Sequence, residues 1–180
     1  FDYKKPVPSL VKPGDKIQFV TSLNNSKDVS STQLDTPSSV KEKKDSLLKI
    51  ENPGFFSVIQ DIGRHTWAHL GVSAGGAADA IALRLGNRLL ENQENAAAIE
   101  MTTSGATVIF LKNTWFAITG AYCSPTLDQL PIAMWTSLPV CAGQILVINS
   151  IHHHLRSYLC VYGGIGIEPI LGSRSTFISG

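Results

Sequence analysis

Polar residues set beside glycines are where this sequence could do chemistry: Gln60-Asp61-Ile62-Gly63-Arg64, Asp79 after Gly75-Gly76, Glu100, Arg156 with Tyr158, and Ser173-Arg174-Ser175-Thr176. Glycine lets a backbone approach a ligand closely, and arginine offers a planar fork for a carboxylate, carbamate or phosphate. Asp61 or Glu100 could serve as a base if burial or repulsion raised its pKa. The same residues could instead form an internal network, with Asp61 or Glu100 paired to Arg64, Arg156 or Arg174. Residue by residue the internal network is the simpler account, but as a group they read as a site.

Other patterns compete. Gly71-Val72-Ser73-Ala74-Gly75 matches a nucleophile elbow, and Asp128 and His152 follow in the order a serine hydrolase needs. An elbow requires a buried strand before the serine and a helix directly after it. Thr66-Trp67-Ala68-His69-Leu70 makes a poor strand and the helix starts late, so a small-residue loop leading to a helix cap fits better. In extended geometry His152 and His154 would face one way and could begin a metal site. No Cys, Asp or Glu stands near them in sequence, and no metal is expected. His65 and His69 have i,i+4 spacing without the glutamate of a zinc-protease helix and are expected in a loop. The Gly-Lys-Ser/Thr ending of a phosphate loop and the Met-Lys-Met of a biotin attachment site are both absent, so a partner would have to supply either chemistry.

The elements that must position these residues are short. The chain has 180 residues with 43% apolar content, enough for one domain or parts of two. It runs from Phe1 to Gly180, which lies in a Gly/Ser loop, and both ends read as cut, as in a piece of a larger β-rich protein. Residues 1–21 read as the tail of one domain, with a strand at Lys16-Ile17-Gln18-Phe19-Val20 after the turn Pro13-Gly14-Asp15. Residues 22–46 are rich in Ser, Thr, Asn, Asp and Lys and predict a flexible polar linker. Residues 47–180 read as the front of a second domain. There Phe55–Ile59, Ala106–Leu111, Trp115–Thr119, Ile132–Trp135, Gln144–Ile148 and Arg156–Tyr162 read as strands bounded by turn residues. Ile81, Leu85 and Leu89 recur every four residues in the one convincing helix, Ala78–Leu90, which Asp79 is placed to cap. A short helical turn is expected over Gln93–Ala98. Several short strands at this spacing predict a mainly β fold, an antiparallel barrel or sandwich with one inserted helix.

The net charge of +1 argues against nucleic acid as a partner. The sequence holds no apolar run long enough to span a membrane and no export leader. Cys123, Cys141 and Cys160, without a CxxC pair, read as buried, reduced thiols of a cytoplasmic protein.

Taken together, the motifs resemble one family, the biotin-dependent carboxyltransferase-like domain of the C-type subunit of 5-oxoprolinase, also named allophanate hydrolase subunit 2 and found in urea amidolyase. The matching pieces are Gln60–Arg64, Gly76-Ala77-Ala78-Asp79, Ala82–Leu90, Ile99-Glu100-Met101-Thr102, Thr119-Gly120-Ala121, Arg156-Ser157-Tyr158 through Gly163-Gly164, and Leu171–Thr176. Each is weak alone; in the right order over about 120 residues they are specific. The opening Leu10–Asp15 segment and its strand are similar to the end of the companion B-type domain, as in a fused 5-oxoprolinase/urea amidolyase family protein. The chain departs from the family pattern in three places. Gly75-Gly76 stands for Ser-Gly, Glu91-Asn92 for Gly-Asn, and His154 for the glycine before the Arg-x-Tyr motif.

The resemblance implies a cyclophilin-like β-barrel with one inserted helix, incomplete in this chain. It implies assembly with other 5-oxoprolinase subunits for ATP-dependent opening of 5-oxoproline to glutamate, with ATP used by a partner subunit. Biotin-dependent carboxyl transfer to urea from carboxybiotin is the alternative, and a kinase-inhibitor or antagonist binding role is another. Ring-opening of a stable lactam needs carbonyl activation. The expected catalytic residues are Asp61, Arg64 and Glu100, with Gln60, Asp79, Arg156, Tyr158, Arg174 and Ser175 binding the small-molecule substrate.

Overall fold

The computed structural model describes residues 46–177. The chain divides into two units at Lys44/Asp45, and the fold below is that of the second. The strand expected at 16–20 and nearly all of the 22–46 linker lie outside the described residues.

Short strands dominate: β1 (Leu48–Asn52), β2 (Phe56–Gln60), β3 (Ala98–Thr102), β4 (Thr107–Phe110), β5 (Thr114–Cys123), β6 (Thr126–Leu127), β7 (Leu130–Pro131), β8 (Leu138–Val140), β9 (Ile145–Val147) and β10 (Ile151–Val161). All pairings are antiparallel and form two five-stranded sheets, ordered β1-β4-β9-β6-β7 and β2-β3-β10-β5-β8. The mainly β expectation holds, but the sheets do not close into a barrel. β1 and β2 are both edge strands, and a groove of about 480 Å³ lined by Leu48, Ile50, Ile59, Ile99, Ala106 and Ile165 opens beside them.

Strand alternation sorts the second sheet into two buried faces. Ile99 and Met101 of β3, Phe116 and Ile118 of β5, and Leu159 and Val161 of β10 point into the larger core. There they meet Val108, Phe110 and Leu146 of the first sheet. The residues between them, Ala98, Ala117, Tyr158 and Cys160, point the other way and form a smaller core with Ala82, Leu83 and Leu90.

The helix, α1 (Ala80–Leu89), covers that second face, and Asp79 caps it by accepting from Ala82 N at 3.0 Å. The row Ile81, Leu85 and Leu89 that marks the helix in sequence is exposed, while Ala82, Leu83, Gly86 and Asn87 are buried. Close approach explains the reversal. A Cβ on Gly86 would sit 2.7 Å from Cys160 Sγ and 2.8 Å from Thr119 Oγ1, so the small residues pack against the sheet. Thr119 Oγ1 also donates to the Ala82 carbonyl at 2.8 Å.

Other elements differ from expectation. Gln93–Ala98 is not helical: Ala96 N bonds Gln93 O at 2.9 Å in a turn, and Ala98 already begins β3. Ile132–Trp135 forms no strand; Trp135 instead has φ 59 and donates from its backbone N to Ile118 O at 2.8 Å. His65 and His69 lie on a 3₁₀ helix, His65–Leu70, rather than in a loop. Cys123 and Cys160 are buried, but Cys141 is exposed in the turn before β9.

Candidate functional site

The register of the second sheet assembles one cluster. Glu100 of β3 pairs directly with Tyr158 of β10, and Arg156 pairs with Thr102. The period-2 alternation of β10 puts Arg156 and Tyr158 on one face, beneath the start of α1. Glu100 is buried, and its Oε2 accepts from Tyr158 Oη at 2.7 Å and from Ala78 N at 2.8 Å. Tyr158 Oη accepts in turn from Asp79 N at 2.7 Å. Burial, with the neighbouring Glu100 and Asp79 charges, drives the Tyr158 hydroxyl far above its ordinary value, so it stays protonated; the amide of Asp79 opposes this without reversing it. Arg156 Nε lies 3.4 Å from Glu100 Oε1, a charge attraction that lacks hydrogen-bond alignment, while Nη1 donates to Thr102 Oγ1 at 2.6 Å.

Asp61, just past β2, builds a second cluster against residues 170–176. Its carboxylate accepts from Gly63 N (2.7 Å), Ser173 Oγ (2.6 Å), Ser175 Oγ (2.6 Å) and Arg174 N (2.6 Å). Burial pushes its pKa up, but the two serine hydroxyls and the backbone donors outweigh that and hold it below the usual carboxylate value. A general base needs the opposite shift. Arg64 is buried and donates to the carbonyls of Ser175 and Ile170, and Gln60 Nε2 reaches Thr176 O at 3.3 Å. Neither Asp61 nor Arg64 pairs with the other. Of the internal salt bridges expected, Glu100–Arg156 forms.

A glycine-rich loop joins the two clusters. Arg64 N bonds Ala74 O at 2.7 Å and Ala77 N bonds Asp61 O at 2.8 Å. Gly76 has φ 94, and a Cβ there would meet the Ile62 backbone at 2.9 Å, so only glycine fits this approach. Glu91 (φ 56) and His154 (φ 85), two of the places where the chain departs from the motifs it resembles, hold a left-handed backbone under a side chain. Such a residue costs on the order of 1–3 kcal/mol.

The competing patterns do not assemble. Ser73 accepts from Gly75 N, and Asp128 accepts from Ile145 N and from Gln144 Nε2; neither is bonded to His152. The element that leads to Ser73 is a 3₁₀ helix, not a strand. His153 and His154 sit at positive φ in a register shift of β10, so the alternation expected for His152 and His154 is broken there. Among the described residues no group of three or more His, Cys, Asp or Glu side chains could hold a metal ion.

Ser173 stands among the polar residues beside glycines but has no expected role, and Thr102 and Asn92 are not candidates in the sequence. Ser173 flanks Arg174 as Ser175 does, and that i,i+2 repeat is the signal that could have given it one. Asn92 carries no local mark beyond following Glu91, yet it bonds Val161 O and accepts from Gly163 N, each at 2.8 Å.

Comparison with known proteins follows the same residues. The carboxyltransferase domain, subdomain A and B, matches residues 70–180. The chain belongs to that family. The carboxyltransferase domain is 46% identical over 132 residues to the C-type subunit of 5-oxoprolinase from Escherichia coli (strain K12), covering 72% of this chain and 42% of that protein. It is 36% identical over 138 residues to urea amidolyase of Lachancea kluyveri, covering 76% of this chain and 8% of that protein. The solved K. lactis urea amidolyase superposes with a TM-score of 0.71 at 34% identity, over 72% of this chain and 8% of that one. The chain therefore spans less than half the length of the curated relatives it matches. Those relatives are a subunit and a multidomain enzyme, so the domain is enzyme-related and belongs with partners. No helix among the described residues is long and apolar enough to cross a membrane.

Proposed function

We propose that this domain is part of an ATP-dependent 5-oxoprolinase complex that opens 5-oxoproline to glutamate, and that it places the substrate. The observation that carries the reading is the 46% identity to a 5-oxoprolinase subunit. The geometry is consistent with it through the buried Glu100, held by a neutral tyrosine and a backbone amide, with Arg156 beside its second oxygen.

Opening a lactam to an amino acid adds water to the carbonyl carbon as the C–N bond breaks, which puts negative charge on the carbonyl oxygen and requires a proton at the leaving nitrogen. ATP, used by a partner subunit, supplies the carbonyl activation. Within this chain Arg156 is the cation placed to stabilise charge, and Glu100 Oε1 is the carboxylate atom not spent on Tyr158 or Ala78. Tyr158 orients Glu100 rather than touching substrate, because it is fully buried and both roles of its hydroxyl are taken. We assign Asp61, Arg64, Gln60 and Ser175 to holding residues 170–176 in place, and Asp79 to capping α1. The domain acts in the compartment where its partner subunits and ATP are found, which we take to be the cytoplasm.

Carboxyl transfer to urea is the second reading, favoured by the urea amidolyase match. When bound, carboxybiotin would bring a carboxyl group ready for transfer. An arginine fork is the residue type such a group needs, and Arg156 and Arg174 are the candidates to hold it.

The test uses the complete complex with its partner subunits. Glu100→Gln should lower ATP-dependent glutamate formation from 5-oxoproline by about 10²-fold or more with stability little changed. Full activity in that variant, or no 5-oxoproline-dependent turnover but carboxylation of urea in the unaltered complex, would sink the first reading.

A further inference from the structure

A polar recess of about 410 Å³ lies apart from the Glu100–Tyr158–Arg156 cluster, and none of those three residues lines it. The turn that follows α1 makes one wall, the glycine-rich turn that follows β10 makes the other, and Arg174 completes it. The volume is that of a small-molecule site, which spans about 300–1,000 Å³.

The walls are pinned. Asn87 Nδ2 donates to Ala96 O at 2.8 Å, and Asn92 ties both walls through Val161 O and Gly163 N. Ile165 N donates across to Ala97 O at 2.9 Å. Arg174 is oriented from two sides: Asp61 Oδ2 accepts from its backbone N at 2.6 Å, and its Nε donates to Ile167 O at 2.7 Å. Among the described residues this is the one hydrogen bond its guanidinium makes, which leaves the outer edge of the fork for a ligand. Gly163 and Gly164 hold φ of 82 and 71, and a Cβ on Gly166 would meet nothing within 4 Å. Side-chain volume is therefore withheld where the recess is open, although the backbone at Gly166 does not require glycine.

We propose that this recess binds a small monocarboxylate carrying an amide, with the carboxylate on the Arg174 fork and the amide against Gln93 and Asn95. A planar two-nitrogen edge matches a carboxylate in two parallel bonds. Glu91 in the lining sets one negative charge against the arginine, which favours a monoanion over a phosphate dianion. The choice of 5-oxoproline as ligand rests on the 5-oxoprolinase reading; the recess and its cation do not.

Calorimetric titration of the full chain tests this without turnover, using 5-oxoproline, 2-pyrrolidinone (the same ring without its carboxylate) and inorganic phosphate. Saturable binding of 5-oxoproline is expected, with 2-pyrrolidinone and phosphate each at least tenfold weaker. Arg174→Gln should weaken 5-oxoproline binding at least tenfold. Gly166→Val should do the same with an unchanged melting temperature, since it fills open space. No binding, equal binding of the two lactams, tighter binding of phosphate, or unaltered binding in Gly166→Val would each overturn the proposal. Absent binding by the unaltered chain, or unaltered binding in the Gly166→Val titration, with 5-oxoproline still turned over by the assembled complex, removes the recess and spares the functional reading. Binding as expected in a complex that never opens the ring does the reverse.

Discussion

Asp61 shows how one carboxylate can be fixed in a role by its donors. Two serine hydroxyls and two backbone amides surround it, so the folded state favours its ionised form. Its pKa is lowered on folding, and the stability it contributes is complete above the ordinary carboxylate value of about 4 and lost as pH falls through the lowered one. Asp61→Asn should cost about 2–4 kcal/mol at pH 7 in chemical denaturation, and should flatten the loss of stability as pH falls below about 4. An acid profile unchanged by the substitution would contradict this. Asp61 and Arg64 stand out in sequence because both are charged and flank Ile62-Gly63, but apart from Gly63 N their side-chain partners lie more than 100 positions away, at Ile170 to Ser175. No local pattern reports a contact of that separation, so a clamp and a catalytic pair look alike in the sequence. Arg156 and Tyr158 were more legible, because their i,i+2 spacing on a strand commits both to one face.

At the scale of elements, the period of α1 marks it as a helix in the sequence, but the face it buries is not its most apolar row. Hydrophobicity favoured Ile81, Leu85 and Leu89 as the buried stripe, whereas steric fit chose Ala82, Leu83 and Gly86. Gly86→Ala places a Cβ against Cys160 and Thr119 and should destabilise the domain by about 1–3 kcal/mol, although alanine is the better helix former. Leu85→Ala, on the exposed row, should change stability by no more than about 0.5 kcal/mol. Urea unfolding of the two variants checks the order, and a reversed order would mean that the apolar row, not the small residues, carries the packing. The strands were mostly legible from alternation and turn residues. Ile132–Trp135 was not, because an apolar run looks the same whether or not its backbone joins a ladder.

For the whole molecule, the sequence announced an antiparallel β architecture with one helix but not how its sheets end. Closure depends on whether β1 meets β2 and β7 meets β8, a matter of edge pairing that side-chain period does not encode. Among the described residues the result is two cores separated by a single sheet, one between the sheets and one beneath the helix.

Each core encloses one thiol. Cys123 belongs to the inter-sheet core and Cys160 to the helix-covered one, and burial raises their pKa values to about 11 and about 12. Cys141 is exposed. Since a thiol reacts as its thiolate, an alkylating reagent should consume Cys141 at once and reach the other two only when their surroundings open. Mass-resolved labelling over time thus becomes a two-channel clock on local unfolding, read without any introduced probe. The Cys160 channel should run faster than the Cys123 channel in dilute urea, because fewer buried side chains hold the helix-covered core together. Gly86→Ala should quicken Cys160 more than Cys123. Two channels that always keep pace would mean that lifting the helix and parting the sheets are one event.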